Sequence, residues 1–200
     1  MNRGIYISPV GMVGDETITV MARFVSEMFG FEVVRHTSFP EPDFAYDARR
    51  GQFSSTLILK NLAKVCPSGA VKFLAVTEAD IFIPMVTFVF GQAQLSGKVA
   101  LVSLARLSQK YYGLAENSDI KIRRARKEVA HELGHTFGLV HCRDRSCIMS
   151  LSTEILQVDV KSEDFCPGCW AMLSEELAAQ KVVGRKGHLE TQKKFVEARR

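Results

Sequence analysis

At 200 residues, with 46% hydrophobic and 24% charged residues, the chain has the makeup of one ordinary globular domain with a sizeable core. No apolar run approaches the ~18 residues of a membrane-spanning helix, and a net charge of +4 is too modest to require a nucleic-acid partner. The opening MNRGIYISPVG lacks the long apolar stretch and small-residue cleavage site of a signal peptide, so a cytoplasmic monomer with no membrane or nucleic-acid partner is expected.

Residues Gly4–Pro9 alternate as a strand, and Asp15 is placed to N-cap a helix ending near Gly30. Phe31–His36, carrying Val33 and Val34, reads as a second strand, and Ser38–Asp47, with Pro40 and Pro42, as a surface loop. Leu57, Leu62 and Val65 give Arg49–Val65 a helical spacing that Pro67 ends. Lys72–Thr77 with Ile81–Ile83 predicts a third strand, bent at Glu78-Ala79-Asp80. Phe88–Leu95 and Lys98–Leu104 are two more, and the Ser96-Gly97 spacer suits a tight hairpin that sets one strand antiparallel. A long helix bearing HELGH follows, then metal-binding loops and a charged terminal helix from about Ser174. Alternating strands and helices make the fold class α/β (α+β).

His131-Glu132-Leu133-Gly134-His135 is the H-E-x-x-H pattern of zinc hydrolases. At ~3.6 residues per turn the two imidazoles project from one helix face and can hold one ion. Glu132, rotated off that row, can accept a proton from a water at the metal. Gly138 suits the helix stop, after which a returning chain lets His141 supply a third imidazole. Three protein ligands leave a position open for water, which separates a catalytic zinc from a structural one. A chance match on a buried helix is the plain alternative, and Gly138, His141 and Met149 at the longer spacing argue against it. Val129, Leu133 and Phe137 recur every four residues on the opposite face, giving the helix a core side and a site side.

Cys142, Cys147, Cys166 and Cys169 form a C-x4-C pair and a C-x-x-C pair, ordinary spacing for a structural zinc. Disulfides are the poorer alternative in a reducing compartment. Because Cys142 adjoins His141, a metal on the cysteines would clamp the segment carrying the third imidazole. Cys66 is left over as a buried, unpaired thiol. The charge run Lys121–Lys127 is expected to be a solvated face.

The pattern H-E-x-x-H-x-x-G-x-x-H with a downstream Met is the metzincin signature. A Cys directly after the third His, followed by C-x-M and C-x-x-C, resembles the archaemetzincin branch. The residues carrying that resemblance are His131, Glu132, His135, Gly138, His141, Cys142, Cys147, Met149, Cys166 and Cys169. Weaker likeness runs upstream through Tyr46–Phe53 and Phe90–Ala93. The resemblance implies a zincin-like fold: a mixed twisted sheet with one antiparallel edge strand, an active-site helix, and a C-terminal part clamped by zinc. On this reading residues 1–138 form an N-terminal subdomain and 139–200 a C-terminal one.

It also implies two Zn2+ per chain, one catalytic on the three histidines and one structural on the four cysteines, with Met149 in a tight turn beneath the first. Glu132 would be the general base, and a peptide or protein substrate would pair along the edge strand at Phe90–Leu95, where Gly91 and Ala93 permit close backbone approach. The expected function is a zinc-dependent metallopeptidase. A zinc-stabilised binding module without hydrolysis, or a hydrolase of a non-protein amide, are the alternatives. Glu132 speaks against a module, since a purely structural site has no need of it.

Overall fold

The structure is a computed structural model that describes residues 3–197, with side chains over 3–182. The first strand, β1 (Gly4–Val10), is buried at each position. That is the signature of a strand covered on both faces. Helix α1 (Asp15–Phe29) buries Ile18, Met21, Val25 and Phe29 on one stripe and closes on Gly30, whose N–H reaches Ser26 O. Its N-cap is Gly14, not Asp15. Asp15 instead opens the first turn, where a carboxylate complements the helix dipole, and pairs with Arg35. Strand β2 (Val33–Arg35) follows beside β1.

The expected helix from Arg49 starts later. Asp47 Oδ1 accepts the N–H groups of Arg49 and Arg50 at 2.9 and 3.3 Å, an Asx turn that competes with helix formation. It folds β3 (Tyr46–Asp47) against β4 (Gln52–Ser54) as an antiparallel pair, and helix α2 runs only over Ser55–Val65. Strand β5 (Ala70–Thr77) is again fully buried. Residues Ile81–Phe82 form β6, which does not continue β5 but pairs with β4 in a second sheet. Asp80 drives that break. It takes both Nε and Nη2 of Arg106 and the amide of Gln52 at 2.7–2.9 Å, so the chain turns away to keep the carboxylate paired.

Strands β7 (Gly91–Ala93) and β8 (Val99–Ser103) complete the main sheet, ordered β2-β1-β5-β8-β7, with all pairings parallel except β7 on β8. The single antiparallel strand is as the short spacer predicts, and its place at the edge is what the resemblance implies. Its connection is longer than a two-residue hairpin, spanning residues 94–98 with Ser96 at φ +55°. Lys72 Nζ bonds Gly97 O at 2.8 Å and Thr136 O at 2.5 Å, tying this turn to the end of the next helix.

That helix, α3 (Ser118–Thr136), is N-capped by Asn117, whose side chain accepts the Ile120 N–H at 3.1 Å. It packs with α1 on one sheet face, while α2 covers the other. The charge run ahead of HELGH is not a solvated face. Arg124 is 7% and Lys127 8% exposed because the short helix α4 (Ile155–Val160) lies against them. Arg124 grips Asp159 with two 2.7 Å bonds, and Lys127 Nζ caps the carbonyls of Val158 and Asp159. The last helix, α5, covers Pro167–Glu197 and so begins before the predicted Ser174, Pro being favoured in a first turn. One core cluster joins Phe29, Phe137, Ile148, Met149, Phe165 and Leu173, so residues on both sides of position 138 share a common interior. No helix among the described residues is long and apolar enough to cross a membrane.

Candidate active site

Two main-chain carbonyls beyond the end of α3 fix where its histidines point. Phe137 ends the helix, and Gly138 turns the chain at φ +95°, a conformation open to glycine without steric cost. Leu139 then places its carbonyl 2.7 Å from His135 Nδ1, and Ile148 O lies 2.9 Å from His131 Nδ1. A carbonyl can only accept, so each Nδ1 carries the proton and each Nε2 presents a bare lone pair. Those two Nε2 atoms face each other at 3.0 Å. Two bare acceptors at that distance repel unless a cation sits between them.

His141 comes back from the turn, its ring centroid 5.3 and 4.9 Å from the other two, and one nitrogen of each ring lies within 4.8 Å of the others. Burial lowers the pKa of all three imidazoles, and the nearby Lys161 ammonium pushes the same way. The rings are therefore neutral and free to coordinate. Their donor set suits zinc.

Glu132 is 5% exposed, and its burial, with the charge of Glu128 nearby, raises the carboxyl pKa well above its ordinary value. A Cβ on Gly91 would lie 2.5 Å from Glu132 Cγ. The small residue expected to admit substrate thus also makes room for this carboxylate. Met149 is fully buried beneath the helix, and a Cβ on Gly134 would stand 2.5 Å from its Sδ and 3.2 Å from its Cε. Met149 O accepts the Cys142 N–H at 2.9 Å, so the turn that seats the sulfur also aligns the segment after His141.

The four cysteines converge separately, one sulfur from each lying within 4.8 Å of the others. Cys142 and Cys166 Sγ are 3.8 Å apart. A disulfide needs ~2.05 Å, whereas Zn–S bonds of ~2.3 Å in a tetrahedron put sulfurs about 3.8 Å apart. The N–H groups of Met149 and Cys166 point at Cys147 Sγ from 3.4 and 3.3 Å, the pattern that supports a metal thiolate. Cys66 stands apart, half-buried and unpaired, its thiol pKa raised by burial.

These two clusters sit in a chain whose residues 59–175 match Peptidase family M54. The archaemetzincin of Methanocaldococcus jannaschii is 44% identical over 172 residues, 86% of this chain and 93% of that protein. The chain belongs to Peptidase family M54, the archaemetzincins. Crystal structures of archaemetzincins from Methanopyrus kandleri and Archaeoglobus fulgidus superpose with TM-scores of 0.75 and 0.73 at 35% and 34% identity. They cover 88% and 84% of this chain and 97% and 98% of their own. Membership makes this archaemetzincin-family chain a zinc metallopeptidase, a hydrolase acting on peptide bonds.

Two residues at the archaemetzincin site escaped sequence reasoning. Glu128 lines the cleft one turn before Glu132, and Lys161 pairs with it at 3.3 Å, their side chains 4% and 0% exposed. The i, i+4 spacing of two glutamates was a signal for the first. Nothing local marks Lys161, which lies 33 residues from its partner. The notch at Gly134 makes a direct prediction. Gly134→Ala should raise helix propensity by about 0.8–1 kcal/mol yet lower net stability, because overpacking a filled core costs about 1–3 kcal/mol. A lower Tm together with weaker zinc retention is the expected result, and a Tm at or above wild type would show that Met149 yields freely.

Proposed function

We propose that His131, His135 and His141 hold the catalytic zinc and Cys142, Cys147, Cys166 and Cys169 a second, structural one. On this reading Glu132 is the general base of peptide hydrolysis. The observation that carries it is the pair of lone-pair-bearing Nε2 atoms 3.0 Å apart, each ring locked by a main-chain carbonyl. A zinc held there supplies Lewis acidity, polarising a scissile carbonyl and making a water more acidic. Glu132 takes the proton from the attacking water and delivers it to the leaving amine.

Substrate binding falls to β7. Phe90 O and Gln94 N–H bond to Ser103 and Val99, so in antiparallel alternation the main-chain groups of Gly91 and Ala93 turn toward the open edge. An extended peptide can add there as a further strand, antiparallel or parallel, with its carbonyl presented to the histidines. Gln92 holds the strand in place from behind, accepting the Ser55 hydroxyl at 2.7 Å.

Chelator titration of zinc-loaded protein tests this assignment. Two zincs per chain of unequal lability are expected, and hydrolysis of a peptide library should vanish as the looser one leaves. Hydrolysis that survives loss of the first zinc would overturn the division of labour between the clusters.

A further inference from the structure

The cleft of about 780 Å³ that holds the three histidines is also lined by Phe88, Phe90, Leu95 and Leu151. Leu151 is also the wall of a second depression of about 420 Å³, which Leu156 and Val160 of α4 line together with Arg145 and Glu154. These apolar side chains are 57%, 66% and 71% exposed at Leu151, Leu156 and Val160. Single exposed leucines are unremarkable on a protein surface. Here Leu156 and Val160 lie one helical turn apart and share a face, and Val158, between them, is turned fully into the core. A concave, contiguous apolar patch with polar groups at its rim is the form of a binding surface. Its continuity with the peptide cleft through Leu151 says which molecule reaches it.

We propose that this second depression is a subsite of the same peptide groove, taking an apolar side chain two residues away from the one seated beside the metal. The inference rests on the peptidase reading of the cleft. In an extended chain, side chains two apart project to the same side about 7 Å from each other, so one side-chain wall can separate their pockets. Leu151 is that wall. Specificity follows from the lining: Leu156 and Val160 offer a leucine-sized side chain contact, while a charged side chain there would lose water against two aliphatic groups. The favoured substrate is an extended segment with alternating apolar residues, a pattern that folded proteins bury inside sheets and expose on unfolding.

The test uses zinc-loaded Glu132→Gln protein, so that bound peptide is not consumed, and two fluorescein-labelled peptides in a Gly/Ser background. One carries Leu-Ser-Leu and the other Leu-Ser-Ser. By anisotropy the first should bind about tenfold tighter, the worth of one more buried leucine. Adding Leu156→Asp and Val160→Asp, both at exposed positions, should bring the ratio of the two affinities to about one, with zinc content and Tm confirming an intact fold. A ratio unchanged by these substitutions, or no difference between the peptides at the outset, overturns the subsite. Concentration-dependent self-association abolished by the same substitutions, with the peptide ratio untouched, would assign the patch to a second copy of the chain and also overturn it. If wild-type protein cleaves neither peptide while the tenfold ratio and its loss in the double variant hold, the assignment of hydrolysis to this cleft is what fails, and the second pocket is upheld as part of a peptide-binding groove alone.

Discussion

Glu132→Gln is expected to lower kcat/KM for peptide hydrolysis by about 10²–10⁴-fold, the usual contribution of a positioned general base, with both zincs retained. The substitution keeps the side chain's size, which matters because Gly91 leaves no slack: a Cβ there would already lie 2.6 Å from Glu132 Oε1. What the amide lacks is basicity. Burial raises the carboxyl pKa and Glu128 adds to it, while Lys161 acts in the opposite sense. Glutamine removes the proton acceptor without emptying the space. Metal analysis beside steady-state kinetics separates the two roles. A fully active Glu132→Gln enzyme would refute the assignment, and a zinc-depleted one would show that Glu132 supports the metal instead.

Cys147→Ser should have the second large effect, and it should reach both metals. Cys147 is 1% exposed, and its sulfur gathers the N–H groups of Met149 and Cys166. Without it the four-sulfur cluster cannot close. Zinc per chain should fall from two to one and Tm should drop sharply, since a structural zinc contributes its binding energy to folding. The remaining zinc should also dissociate more easily, by about 10–100-fold, the range seen when groups supporting a metal ligand are lost. The route is short: Cys142 follows His141 directly, and its N–H bonds Met149 O. Two zincs per chain in Cys147→Ser protein, or one zinc held as tightly as in wild type, would show that the clusters are independent.

Much of the site was legible because its logic is local. His131 and His135 fall on one face by helix periodicity alone, Gly138 stops the helix by its backbone freedom, and the C-x-x-C pair brackets the start of α5, Cys166 just before it and Cys169 in its first turn. The opposite face, Val129, Leu133 and Phe137, is buried as its spacing required. The antiparallel sense of β7 also followed from a short spacer between two strand-like runs, whereas its edge position came from the family resemblance.

Where the reading failed, a distant partner changed the outcome. Arg124 and Lys127 look like solvent-facing charge until α4 brings Asp159 and two free carbonyls against them. Ile81–Phe82 looks like the end of β5 until Asp80 pairs with Arg106 and turns the strand into another sheet. Helical spacing from Arg49 onward lost to the side chain of Asp47, a local competitor that periodicity does not register.

Sequence alone, then, determined which chemical groups this chain owns and on which faces of its helices and strands they lie, because periodicity and backbone preference act within a few residues. Tertiary structure decided what those faces meet. The Nδ1 protons of the histidines are held by carbonyls beyond the helix, Met149 fills the notch at Gly134, and Lys161 neutralises a glutamate 33 residues away. Such pairings depend on which surfaces come together when the core closes, and no short-range pattern encodes that.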